Sequence, residues 1–171
     1  MVDGRRGISL SKHLQRAEIA VAIPPSMELL VATLCDTAVE NQGKLNVIGA
    51  FDAVIAQNFP AGFAYTLVLR FSFTAEDHGP HKFSIRLTDD SGNAGEQPPN
   101  EAELQVNMPP GTKGFSTQNM ILPLQGNVQK AGNYHFAVHF DGKVLARIPF
   151  RVVSQAELAQ TAGQPAALPA A

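Results

Sequence analysis

The sequence has one cysteine, no tryptophan, few charged side chains and no long apolar run. A single cysteine excludes an intrachain disulfide framework and a zinc site built on cysteines. Charged residues make up 16% of the chain and the formal net charge is −2, so we expect no nucleic acid and no membrane surface among its partners. No run of about 18 apolar residues occurs, which excludes a helix that spans a membrane.

Apolar residues and turn formers, in contrast, are plentiful. Hydrophobic residues account for 44% of the 171 residues, which is enough for a folded core and excludes disorder of the whole chain. The 14 glycines and 12 prolines predict many short elements joined by turns. A chain of this length suits one domain, with or without tails.

Composition divides the chain into three parts. Residues 1–26 carry a net charge of +2 and are predicted to be a leader or linker. Residues 27–153 carry a net charge of −3 and are predicted to form the folded domain. Residues 154–171 hold one charged side chain among many alanines, glutamines and prolines, which predicts a low-complexity, disordered tail with at most one helical turn over Gln155–Gln160.

Three interpretations of the leader stay open. Arg5 and Arg6 are typical of a twin-arginine export signal, although the apolar run Ile19–Ile23 is shorter than such a signal requires. A short amphipathic helix followed by a flexible linker is the second interpretation. Translation that begins at Met27 is the third. We expect the protein to be cytoplasmic, with export as the alternative.

Alternation of apolar and polar residues predicts β-strands along the domain. The clearest case runs from Tyr65 to Phe73, and similar patterns mark Phe83–Leu87, Ala102–Val106 and Tyr134–Phe140. About eight such segments, separated by turn residues, predict an all-β fold. We expect an antiparallel immunoglobulin-like β-sandwich with flexible N- and C-terminal tails. A closed barrel is the alternative.

Two hairpins can be predicted from their turns. Met27–Val39 is predicted to be a strand buried on both faces, joined through Asn41-Gln42-Gly43 to a second strand over Lys44–Ala56. Asp141-Gly142 favours a type I′ turn before a strand over Val144–Val152.

Glycine and proline inside strands carry further information. Gly49 suggests a bulge or a close backbone approach within the second strand. Pro123 and Pro149 cannot donate to a sheet, so each predicts an edge strand.

Metal binding has one weak candidate site. His78 and His81 flank Gly79-Pro80, where a bend could bring them together beside Asp77. His135 and His139 lie about 13 Å apart on a strand, too far to share one ion.

A second segment superficially resembles a calcium loop. It starts at Asp89 but has Ala94 where the glycine is required and Asn100 where the glutamate is required. We expect a turn there instead.

The sequence lacks common catalytic motifs. The sequence contains neither a G-x-S-x-G nucleophile motif nor a phosphate-binding loop. Cys35 is predicted to be buried and inert. Asp36, Glu40 and Asp52 could pair as acid and base near the first hairpin, or simply cap turns. We predict no enzyme, no catalytic residue and no cofactor.

Two motifs carry a family resemblance. Leu34-Cys35-Asp36-x-Ala38 and the segment from Gly43 to Asp52 (GKLNVIGAFD) resemble a bacterial family of domains of unknown function with a predicted immunoglobulin-like sandwich. The resemblance covers Met27 to Val153 and includes the final hairpin, from Gly132-x-Tyr134 to Ile148-Pro149.

That resemblance implies a small bacterial cytosolic protein whose homologues begin near Met27. It brings no assigned activity and therefore no catalytic residues. Its motif residues have no known role; they are Cys35, Asp36, Lys44, Asn46, Gly49 and Asp52.

Two functional hypotheses follow from the pattern. The first is a non-enzymatic protein-binding or scaffold module that acts through its edge strands, with a homodimer through a sheet face that presents Val68 and Leu145. The alternative is a small-ligand or metal-binding domain, with or without enzymatic activity, that uses the loop end around Asp77–His81 and residues 90–100.

Overall fold

The computed structural model describes residues 27–93 and 99–162, with side chains as far as residue 159. Nine strands occur in these ranges: β1 (Glu28–Asn41), β2 (Lys44–Phe51), β3 (Ala53–Ala56), β4 (Ala61–Phe73), β5 (Gly79–Asp89), β6 (Asn100–Val106), β7 (Ser116–Val128), β8 (Gly132–Phe140) and β9 (Lys143–Ser154). The predictions for residues 1–26 and 163–171 lie outside the described residues.

Helical structure is limited to two short elements. A 3₁₀ turn at Ala75–Asp77 follows β4, and helix α1 (Gln155–Ala162) follows β9. Helix α1 is longer than the single turn predicted for this part of the tail. Among the described residues, no helix has the length and apolar character needed to cross a membrane.

The strands form two sheets. The four-stranded sheet has the order β2-β1-β4-β7 and is antiparallel throughout. The five-stranded sheet has the order β3-β9-β8-β5-β6, in which β3 and β9 are parallel and the other pairs antiparallel. The predicted all-β class is confirmed, whereas the purely antiparallel arrangement is corrected.

The strand predicted over Lys44–Ala56 is in fact two strands that belong to different sheets. Asp52 separates them, and its carbonyl oxygen accepts a hydrogen bond from the Arg151 N–H at 2.7 Å. The chain thereby leaves the four-stranded sheet and begins the parallel pair beside β9. This crossing accounts for the ninth strand.

The core lies between the inner faces of the two sheets. Alternate residues of β4 contribute Phe63, Leu67, Leu69, Phe71 and Phe73 to it, which confirms the alternation predicted there. Their rings meet rings of the other sheet: the centroid of Phe63 is 5.5 Å from that of Phe150, and the centroid of Phe71 is 6.2 Å from that of Phe83. Burial of these side chains, and the contacts between their rings, stabilise the packing of the two sheets.

Within the described residues, Pro123 and Pro149 each lie in a strand segment that has a neighbouring strand on one side only. Pro123 is in β7, the last strand of its sheet, as predicted. Pro149 is in β9, which has neighbours on both sides, but β3 covers only Arg151–Ser154 of that strand. The edge prediction is therefore right for the part of β9 that holds Pro149 and wrong for the part that follows.

Both predicted hairpin turns are two-residue turns with positive φ. The angles are 52° and 74° at Gln42 and Gly43, and 47° and 78° at Asp141 and Gly142. A type I′ turn needs positive φ at both central residues, and its twist matches that of the flanking strands.

Candidate functional site

The β1–β2 hairpin folds back over the outer face of its own sheet. Arg70 of β4 is paired with Val31 in β1, and the hairpin tip at Gly43 lies 12 residues beyond Val31. A straight strand would place Gly43 about 40 Å from Val31. The Arg70 Nη1 atom nevertheless donates to the Gly43 carbonyl oxygen at 3.2 Å. The tip therefore returns to the level of Arg70.

Four polar side chains form the hydrogen bonds that hold the tip. Arg70 also donates to Asn119 Oδ1 at 2.8 Å and to Thr117 Oγ1 at 3.0 Å, both on β7. Asn119 in turn donates through Nδ2 to Glu40 Oε2 at 3.0 Å and to the Gly43 carbonyl at 3.3 Å. We call Asp36–Gly49 the folded hairpin.

The folded hairpin explains two buried side chains on the outer face of the four-stranded sheet. Cys35 and Val68 are fully buried, yet neither belongs to the core between the sheets. Half-buried Ala38, Leu45 and Val47 share the hairpin face that carries Glu40, which is bonded to Asn119. That face therefore lies against the sheet and closes over Cys35 and Val68.

This arrangement corrects the surface predicted for a homodimer. Val68 was expected to face solvent, but it is buried beneath the folded hairpin. Leu145, the other residue of that surface, packs against the main core. The prediction that Met27–Val39 is buried on both faces holds at Leu34 and Cys35, where both successive side chains are fully buried.

Gly49 and Asp36 lie opposite each other where the hairpin bends. Gly49 has φ +69°, and a Cβ built on it would lie 2.7 Å from the Asp36 Cγ atom. The buried face of the strand pair switches at this point. Cys35 is fully buried, whereas Val39, which alternation places on the same face of β1, is exposed. The close approach predicted for Gly49 is confirmed, and its partner is the Asp36 side chain.

The outward face of the folded hairpin exposes two β-branched side chains. Val39 and Ile48 are 54% and 59% exposed, and they are diagonal neighbours, because Val39 pairs with Asn46 and Thr37 pairs with Ile48. β2 ends the strand order of its sheet, so one side of its backbone has no strand partner within residues 27–93 and 99–162. An apolar pair beside a free edge is the surface that β-strand partners use.

The other motif residues lie around this surface. Lys44 and Asn46 are exposed on β2, and Asp52 is exposed where the chain crosses to the five-stranded sheet. Asp36 and Cys35 lie at the bend. Cys35 is buried, as predicted, and burial together with the negative charge of Asp36 raises the pKa of its thiol.

His81 does not share a site with His78. Its Nδ1 lies 2.8 Å from Asp141 Oδ2 and its Nε2 lies 2.8 Å from the Asp77 carbonyl oxygen. His78 is directed elsewhere: its Nδ1 accepts a hydrogen bond from the Met108 N–H at 3.2 Å. The bend around Gly79-Pro80 therefore does not bring the two imidazoles together.

Asp77 is a buried carboxylate whose partners are backbone and hydroxyl groups. Its Oδ2 accepts from the N–H groups of Met27 and Thr74, at 2.9 and 2.8 Å, and from Thr74 Oγ1 at 3.1 Å. It holds the turn and the start of β1 together. Across residues 27–93 and 99–162, no three histidine, cysteine or acidic side chains form a group able to hold a metal ion.

Hydrogen bonds set the charge of the His81–Asp141 pair. Burial lowers the pKa of His81, but its hydrogen bonds to Asp141 and Asp77 outweigh that effect and raise it. The hydrogen bond from His81 lowers the pKa of Asp141. The ring also stacks on Phe140, with 4.8 Å between centroids.

The segment that resembles a calcium loop is a turn, as predicted. Asp89 Oδ1 accepts from the Asn93 N–H at 2.9 Å, and Oδ2 accepts from the Asn93 side-chain amide at 3.2 Å. These bonds lower the pKa of Asp89. Residues 94–98 lie outside the described residues, so the candidate region 90–100 is seen only in part.

A pocket of about 380 Å³ with both apolar and charged walls lies beside this turn, and we call it the polar cavity after its charged residues. Its charged and polar lining includes Asp52, Asp90, Asn133, His135 and Arg151. Asp90 accepts a hydrogen bond from Asn133 Nδ2 at 3.1 Å and lies 3.8 Å from His135 Nδ1. Asp52 and Arg151, joined through their backbones, take no part in the ion pairs seen among the described residues.

Comparison with protein families matches residues 30–153 to DUF6941, described as a family of unknown function. The chain belongs to that family. The match confirms the resemblance predicted from the sequence. No curated protein matches the chain.

The DUF6941 match runs from β1 to the end of β9, and therefore includes the folded hairpin, the His81–Asp141 pair and the polar cavity. Helix α1 lies beyond it.

Among solved structures, the chain is similar to Pseudomonas fluorescens alkylpurine DNA glycosylase AlkC bound to DNA containing an abasic site analog. The two share 8% sequence identity with a TM-score of 0.36. The likeness covers 75% of this chain and 30% of the glycosylase chain.

The sequence pattern did not identify Arg70 and Asn119 as residues that hold the folded hairpin. It also did not identify Asp141 as the partner of His81. Arg70 had only the pattern of a solvent-facing strand residue, and Asn119 lay unremarked in an edge strand. Asp141 was assigned to its turn alone. Each acquires its role from a partner 27 or more positions away in the sequence, which local patterns do not report.

Proposed function

We propose that this member of DUF6941 is a non-enzymatic protein-binding module whose contact surface is the outward face and free edge of the folded hairpin. The exposure of Val39 and Ile48 beside the unpaired edge of β2 is the observation that carries the proposal. Burial of the apolar side chains provides affinity for a partner. The free backbone N–H and C=O groups of the edge set the register of a partner strand.

Hydrogen bonds among the protein's own polar groups support the non-enzymatic part of the proposal. Asp77, His81 and Asp141 bond one another or nearby backbone, and Asp36 is packed against Gly49. A catalytic acid or base needs access to substrate, whereas the polar atoms of Asp77, His81 and Asp141 are engaged in hydrogen bonds within the protein. The motif resemblance further suggests an immunoglobulin-like sandwich that acts in the bacterial cytoplasm.

Photo-crosslinking in living cells tests the surface. A photo-reactive residue at Asn46, on the outward face, should yield a discrete protein adduct. Ile48→Asp should abolish the adduct, whereas Val144→Asp should preserve it, because Val144 is an exposed apolar residue on the other hairpin. A Val144→Asp chain that loses the adduct equally, or an Asn46 probe that yields none, contradicts the proposal.

Binding of a small polar ligand is a second candidate function, favoured by the polar cavity. Asp52 and Arg151 line it with opposite charges that do not neutralise each other through an ion pair. A ligand with both an ammonium and a carboxylate would complement these walls. Titration with glycine, followed by amide chemical shifts, should move Asn133 in wild type and not in Arg151→Gln. Arg147→Gln, outside the cavity, is the control.

A further inference from the structure

Outside the proposed binding surface, a chain of contacts connects the β8–β9 turn with the start of β1. It runs from Asp141 through the imidazole of His81 to the Asp77 carbonyl, and from the Asp77 carboxylate to the N–H of Met27. Residues 1–26 join the domain at Met27. The chain of contacts therefore ends at the attachment point of the leader.

The geometry points to a pH-sensitive latch: doubly protonated His81 holds the Asp77 turn and with it the N–H of Met27, and loss of one proton releases both. A carboxylate oxygen and a carbonyl oxygen can only accept hydrogen bonds. Both ring nitrogens of His81 face such atoms at 2.8 Å, so each must carry a proton. Only the imidazolium satisfies this arrangement.

The neutral ring can keep only one of its two bonds. The remaining proton stays with the Asp141 carboxylate, since a bond to a charged acceptor is stronger than one to a carbonyl. The bare Nε2 then faces the lone pairs of the Asp77 carbonyl oxygen. Repulsion between these two acceptors moves the turn, and the Asp77 carboxylate moves with it away from Met27 and Thr74.

The charges around His81 fix the direction of the response. Asp141 faces it from the β8–β9 hairpin, where Lys143 acts on Asp141, and Asp77 faces it from the 3₁₀ turn. Lys82 follows His81 on β5, and His78 lies three positions before it. The two carboxylates favour the imidazolium, and the latch is therefore closed at low pH and opens as pH rises above the range of an ordinary histidine.

Nuclear magnetic resonance of the full chain tests the latch. Below pH 6 we expect both His81 ring nitrogens to be protonated, and the amide shifts of Met27 and Thr74 to change with the midpoint of the His81 titration. In His81→Gln these two amides should lose that titration. His139→Gln, which alters a histidine of β8 outside the chain of contacts, should leave the midpoint within about 0.2 pH units of wild type, since distant sites act independently.

Two results would overturn the inference. One is a His81 ring with an unprotonated Nε2 below pH 6. The other is a His81 titration that leaves the Met27 and Thr74 amides unmoved in a folded protein. Unfolding of His81→Gln would not obscure the answer, because the wild-type titration alone decides between these outcomes.

Discussion

The Asp36 carboxylate fills the space in which a side chain at Gly49 would begin, with its Cγ 2.7 Å from that position. The two residues lie opposite each other on β1 and β2, and Gly49 has a φ of +69° that favours glycine. The bend of the folded hairpin therefore depends on glycine for two separate reasons, and both can be measured.

Gly49→Ala should destabilise the protein by about 2–3 kcal/mol in urea unfolding, through positive φ and collision with Asp36. Gly43→Ala separates the two causes, because Gly43 has φ +74° with no atom near its Cβ position. It should cost about 1–2 kcal/mol, from backbone strain alone. Equal losses for the two variants would show that the Asp36 contact contributes nothing.

Arg70→Ala should expose Cys35. The variant removes the Arg70 hydrogen bond to the hairpin tip at Gly43, together with the two bonds to Asn119 and Thr117 that orient the Arg70 side chain. Loss of about 1.4 kcal/mol of local stability raises the population of the open hairpin about tenfold. Because Cys35 is the single cysteine, labelling with a thiol reagent in native buffer reports that opening directly.

Arg86→Ala, an arginine of the other sheet, is the control for this experiment. Its labelling rate should equal that of wild type. A rate for Arg70→Ala that stays at the wild-type value would mean that the tip is held by other contacts.

The His81–Asp141 pair should make stability depend on pH in a defined direction. The pKa of His81 is raised above 6.5 in the fold, so its contribution is complete below that value and is lost as pH rises through the raised pKa. The pKa of Asp141 is lowered from 3.8, so its contribution is complete above that value and is lost as pH falls through the lowered pKa. The pair therefore stabilises most between these two limits.

His81→Gln should lower the free energy of unfolding by about 1 kcal/mol at pH 6, a value limited by the solvent exposure of Asp141. The difference from wild type should shrink as pH rises to 9. Urea unfolding of both proteins across that range gives the measurement. A difference that is constant with pH would show that His81 carries no charge in the fold.

Asp77→Ala should be among the most damaging single substitutions outside the core. It leaves the N–H groups of Met27 and Thr74 without their acceptor, at a cost of about 2–3 kcal/mol. Glu76→Ala changes the exposed neighbour and should stay within about 0.5 kcal/mol of wild type. Thermal unfolding of the two variants compares them, and similar losses would contradict the assigned role of Asp77.

Much of the fold could be predicted because its signals are local. Pro123 lies in an edge strand, as predicted, and the Asp141-Gly142 turn has the predicted conformation. Alternation along β4 identified its core residues, since a strand has a period of two. The resemblance to a family of unknown function is confirmed by the match over residues 30–153.

The candidate site was predicted only in fragments. Gly49 was expected to mark a close approach, but the pattern did not name Asp36 as its neighbour. Val68 has the parity of a solvent-facing residue, and its burial depends on a hairpin that returns over it. Alternation assigns residues to faces, but it does not report how a strand pair curves or what lies above an outer face.

The sequence by itself determined which residues form strands, where the turns fall and which side chains enter the core, because these depend on neighbours in the chain. Tertiary structure alone decided the partners of Arg70 and His81, the crossing of the chain at Asp52 and the surface left by Val39 and Ile48. These depend on atoms brought together from distant positions, where hydrogen-bond geometry and burial, rather than local preference, determine the outcome.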